Sequence, residues 1–168
     1  MTKYARFASL VCAGLFAGFL TAVLVLELSL RSFDSTVYTQ VRLVELDSLD
    51  KLAVATLLPA LIATAVLVYQ TYRTGTRWLT VAALALLVLV FGLTLIVNLP
   101  INSDQLHWDA QSPPSNWTEV RDRWQIAHAI RTVAAVLAFA ALALAAPLPH
   151  TRRSSSPNTS ARRDRLHA

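Results

Sequence analysis

Trp124, His128 and Arg131 are separated by four and then three residues, so on a helix they share one face, and Arg121 extends the stripe by a further turn. A neutral imidazole can act as a general base, and an adjacent guanidinium or amide can stabilise an enolate or phenolate as it forms. These groups suit proton abstraction from an acidic carbon of a flat, apolar, phenolic molecule. Depth matters as much as spacing. The uncharged run from Thr132 to Ala146 has 15 residues, about 22 Å of helix, too short for a hydrocarbon core of about 30 Å. Counting back about 20 residues from Ala146 reaches Ala127, which puts His128 and Arg131 at membrane depth near one boundary. Charged groups there face a bundle interior or a polar cavity, although an arginine taken alone can also snorkel to the interface.

Polar groups elsewhere reach the same level. Glu27 closes the first apolar segment, and VNLPIN closes the third with Asn98, Pro100 and Asn102. Glu27 and Arg131 could neutralise each other, a pairing the sequence alone leaves open, while Asn98 and Asn102 could supply uncharged donors and acceptors. Trp108, Trp117 and Trp124 fall in the second long connection, where they either form an interfacial aromatic belt or face a substrate. The candidate set is therefore His128, Arg131 and Asn98 for chemistry, with Asn102, Trp124, Trp117, Trp108 and Glu27 for binding. A structural network tying the helix ends together would use the same residues. No metal site is expected, because HxxxH and HExxH pairs are absent. Gathering His107, His128, Glu27 and Asp104 would depend on tertiary geometry. No phosphate loop, nucleophile elbow or dinucleotide fingerprint occurs, and no cofactor is anticipated.

The elements that position these residues follow from composition. With 55% hydrophobic and 15% charged residues and a mean hydropathy of +0.48, the 168-residue chain is too apolar for an ordinary soluble domain. Four segments are uncharged for about the length a membrane helix needs. They predict an all-α, integral membrane four-helix bundle running up-down-up-down, with helices about 7–28, 52–70, 78–98 and 125–147 in a domain of residues 1–149. The first segment stays uncharged to Leu26 and lacks a clean cleavage site, so it reads as a span rather than a secretory signal. Cys12, the single cysteine, reads as a packing residue. Ala13, Gly14, Ala17 and Gly18 make a small-residue face for a neighbouring helix, and Pro59 predicts a kink in the second span. Ser29 to Lys51 mixes charges with apolar residues, as an amphipathic interfacial helix would.

Charge gives the orientation. One side of this topology carries nine basic residues against one acidic, and the other six basic against nine acidic, which places both termini in the cytoplasm of a cell-membrane protein. The basic pI of about 10 then needs no nucleic acid to explain it. Residues 150–168, rich in Ser and Arg, read as a basic disordered tail attracted to anionic lipid headgroups. None of these features sets an oligomeric state.

GLFAGF in the first helix, VNLPIN ending the third and NWTEVRDRWQIAHAIRT entering the fourth together resemble the anthrone oxygenase-like family of small four-helix membrane proteins. The resemblance covers roughly residues 10–146, and its most specific part is the spaced set Asn98, Pro100, Asn102, Trp117, Trp124, His128 and Arg131. It implies oxidation of an anthrone to an anthraquinone by molecular oxygen without a cofactor, on a small aromatic or polyketide-like substrate. Chemistry then assigns deprotonation to His128 and oxyanion stabilisation to Arg131 and Asn98. The alternative is a non-catalytic protein of the lipid bilayer that binds a lipid, a quinone or a protein partner. A transporter finds little support, since no internal repeat or midplane charge is evident.

Overall fold

The computed structural model describes residues 2–146 of the chain; the tail anticipated over 150–168 lies outside them. Its helices are α1 (Thr2–Ser29), α2 (Ser35–Thr71), α3 (Arg77–Leu93), α4 (Leu99–Gln105) and α5 (Trp117–Leu144). A short 3-10 turn, Leu30–Ser32, follows α1, and a π-helical turn, Thr94–Asn98, joins α3 to α4 without a break. Four helical rods are thus long and apolar enough to cross a membrane, and the chain is a multi-pass membrane protein. Around the bundle α1 packs on α2, α2 on α3, α3 on α5, and α5 closes the ring on α1.

All four rods are longer than hydropathy predicts, α2 by the most. Uncharged length alone places α2 over 52–70, behind a helix lying on the membrane surface. Instead one helix starts at Ser35, where the Asp34 side chain caps it by accepting from the Val37 N–H at 2.9 Å. Its 37 residues make a rod of about 55 Å. Tyr38, Arg42 and Glu45 are buried against the other helices, so this extension covers the end of the bundle and does not float at the interface. α5 begins eight residues before the expected 125, directly after Pro113 and Pro114, with Glu119 in its first turn complementing the helix dipole. An apolar scan misses both extensions because they are helical but polar.

The third rod changes register where Pro100 interrupts it. Proline offers no N–H to the preceding turn, and its ring crowds the carbonyl four residues back; the π turn just before it absorbs that conflict. The extra residue in the turn rotates the helix beyond it. Thr80, Ala83, Leu87 and Val90 are buried, and the same face continues as Asn98, Asn102 and Gln105.

Opposite the polar end, helices approach closely through Ala13, Ala60, Ala83, Ala135 and Ala138, all at most 1% exposed, around Phe16, Leu20, Leu67 and Leu87. In lipid such contacts act by van der Waals packing rather than by water exclusion. The small-residue face of α1 splits: Ala13 and Ala17 are in the core, a Cβ at Gly14 would meet Phe139 Cε2 at 3.1 Å, and Gly18 faces open space. Ala135→Leu is therefore expected to lower stability by about 1–3 kcal/mol through overpacking, while Gly18→Leu leaves the melting temperature in detergent unchanged. Equal melting of the two variants would contradict this packing.

Candidate functional site

Four rods bring polar side chains to the end of the bundle opposite the termini. At their centre is Arg42 of α2, 3% exposed. Its Nη1 donates to Glu27 Oε1 at 3.2 Å and to Glu45 Oε2 at 2.8 Å, its Nε to Gln105 Oε1 at 2.9 Å, and its Nη2 to Asn102 Oδ1 at 2.7 Å. The guanidinium also lies over the Trp124 ring, 3.9 Å from its centroid. Glu27, fully buried, receives Gln125 Nε2 at 2.9 Å on its other oxygen. The pair Glu27–Arg131 does not form: Glu27 is bound to Arg42. Arg42 escapes a reading of the sequence because its stretch looks like a solvated amphipathic helix; the i, i+3 spacing to Glu45 was its only local signal.

Asn102 links this network to α5 and α2. Its Oδ1 accepts from Trp124 Nε1 at 2.7 Å, and its Nδ2 donates to both Asp50 oxygens at 2.9 and 3.0 Å. The π turn is what aims it inward. Trp124 is thus held between Arg42 on one face and His128 on the other, the two rings stacked at 4.7 Å with planes 10° apart.

His128 is 1% exposed. Its Nε2 lies 3.0 Å from the Leu20 carbonyl oxygen, which can only accept, so Nε2 carries the proton and Nδ1 presents a lone pair. That Nδ1 is buried without a partner. One helical turn on, Arg131 is 5% exposed and makes no hydrogen bond or ion pair among the described residues, its Nε likewise buried and unpartnered. Unsatisfied buried polar groups are uncommon in folded proteins. Here both residues line one cavity.

The cavity has a volume of about 130 Å³ and is walled by all four rods. Arg42, Glu45, Asp50, Asn102, Trp124, His128 and Arg131 supply its polar side; Leu20, Leu57, Phe91 and Leu95 are among its apolar walls. The remaining candidates lie elsewhere. Asn98 is fully buried behind the wall, its Nδ2 3.5 Å from the Trp124 carbonyl. Glu27 acts on Arg42. Trp108 donates to Asp104 at 3.2 Å and packs on Leu30 and Tyr38, and Trp117 lies tilted against Tyr38 with ring centroids 5.5 Å apart. These two tryptophans cap the bundle end and do not line the cavity. Arg121 sits over Trp117 and pairs with Asp122, which also binds Arg31 at 3.0 Å. Because Arg31 and Asp122 are about half exposed, Asp122→Asn is expected to cost at most about 1 kcal/mol in detergent unfolding; a larger loss would show this bridge to be part of the core. His107 is exposed, and no three metal-ligating side chains come together among the described residues.

The sequence model of the anthrone oxygenase family matches residues 51–141, just over half of the chain. Asn98, Asn102, Trp124, His128 and Arg131 fall inside the matched stretch, and Glu27, Arg42 and Glu45 outside it. No curated protein and no solved structure matches the sequence.

Proposed function

The chain belongs to the anthrone oxygenase family, and from that premise we propose that it is a cofactor-independent oxygenase of a phenolic aromatic compound, with the cavity at the polar end as its active site. The observation that carries this reading is that His128 and Arg131 line one cavity while His128 Nδ1 and Arg131 Nε have no partner among the described residues. His128 Nδ1 takes a proton from the acidic carbon of the substrate, and Arg131 stabilises the oxyanion of the resulting enolate. Oxygen adds to the carbanion. For a methylene carbon, one oxygen atom becomes the new carbonyl and the other leaves as water with the two hydrogens.

The Leu20 carbonyl and the Trp124 ring position the base: the first fixes its tautomer, the second its plane. Arg42 is the wrong arginine for this task, since its donors are already spent on Glu27, Glu45, Gln105 and Asn102. It positions Trp124 and Asn102. The charge bias of the connections supports a cell-membrane location with both termini in the cytoplasm.

The test is oxygen uptake with product detection by purified protein in detergent, given a simple anthrone. Quinone formation that stops on Arg131→Met supports the assignment. No uptake above the spontaneous rate would replace it with the reading of a non-catalytic binder of a lipid, quinone or protein partner, for which the saturated Arg42 network would be scaffolding.

A further inference from the structure

We propose that the cavity takes an elongated phenolic molecule head first from the bilayer, with one hydroxyl-bearing ring at the buried polar end and an apolar remainder in a portal between α2 and the α3–α4 rod. The proposal rests on the roles proposed for His128 and Arg131, and it names the shape of the molecule and the route it takes.

Size sets the first limit. An apolar cavity of about 150 Å³ admits benzene, so about 130 Å³ encloses a single ring. Any larger substrate extends beyond it. Exposure shows where. The polar wall is deeply buried, whereas Val54 and Leu58 of α2 and Leu95 and Leu99 of the facing rod line the same cavity and are 42–54% exposed. These four are apolar and lie on helices that cross the membrane, so this mouth faces lipid rather than water. Ala53, small and half-buried, and the π turn keep the two rods apart there.

Approach from the bundle end meets the Arg42 network. Arg42 bridges α2 to α1 and α4 at the bundle end, with its guanidinium bonded on every side. The head meets His128 and Arg131 at the polar end, whose Nδ1 and Nε have no other partner among the described residues. The apolar remainder of the molecule lies along the portal.

The test is calorimetric titration of phenol and of 4-heptylphenol into the full-length protein at one fixed detergent concentration. Leu95→Trp and Ala53→Phe each fill the portal from one side; Val88→Trp is a comparably exposed control that lines neither this cavity nor the apolar groove between α3 and α5. Both portal variants are expected to weaken 4-heptylphenol by about tenfold, the effect of a lost apolar fit, while phenol changes within measurement scatter and the control binds both as wild type does. Position 95 is exposed, so that variant keeps the wild-type melting temperature and its result stands even if Ala53→Phe fails to fold. Equal weakening of both ligands, no weakening of either, or no binding of 4-heptylphenol to the wild type would overturn the portal. Binding with this pattern but no oxygen uptake would remove the oxygenase reading and leave this one; uptake without the pattern would do the reverse.

Discussion

Replacing His128 by glutamine is expected to abolish turnover while leaving the bundle folded. The glutamine amide can still donate to the Leu20 carbonyl, as Nε2 does at 3.0 Å, and keeps a flat group against Trp124. It has no basic lone pair where Nδ1 stands. A positioned general base contributes about 10²–10⁴-fold, and the fall should appear in kcat, because the cavity's apolar walls are untouched. His128→Ala should lose as much activity but also some stability, since it empties the space against Trp124 and leaves the Leu20 carbonyl without this donor. Oxygen uptake and thermal melting on the same preparations separate the two effects. A glutamine variant with wild-type kcat would end the base assignment.

The second large effect distinguishes the two buried arginines. Arg42→Met is expected to cost about 3–5 kcal/mol of stability, because removing one member of a buried charge network leaves the others uncompensated. Glu27 and Glu45 would lose their counter-charge, and Asn102 and Gln105 a donor, at a buried position. Adding Glu27→Gln and Glu45→Gln to that variant should recover much of the loss. Arg131→Met breaks no hydrogen bond among the described residues, so its melting temperature should stay near wild type. Its loss should fall on catalysis, by about 10²–10³-fold if the guanidinium stabilises an oxyanion. The reverse pattern, with Arg131 needed for folding and Arg42 dispensable, would exchange the roles of the two residues.

Much of this molecule was legible in the sequence because it depends on local order. Four spans follow from uncharged length, and the shared face of Trp124, His128 and Arg131 follows from helical period alone. The position of that face at the end opposite the termini follows from counting residues along each span. The same logic missed the lengths of α2 and α5, whose extensions are polar and carry no hydropathy signal, although Asp34 and the Pro113-Pro114 pair mark where they begin.

What only the tertiary structure decided is who meets whom. Arg42 finds Asn102 and Gln105 from 60 and 63 residues away, and Glu27 finds Gln125 across 98, so Glu27 is occupied and Arg131 has no partner among the described residues. Those pairings depend on the rotation and axial register of each rod. Register in turn depends on a one-residue widening before Pro100 and on small side chains that set how closely the helices approach. The types and spacing of residues along one helix cannot encode these quantities, because they are differences between helices, fixed by the packing of the whole bundle.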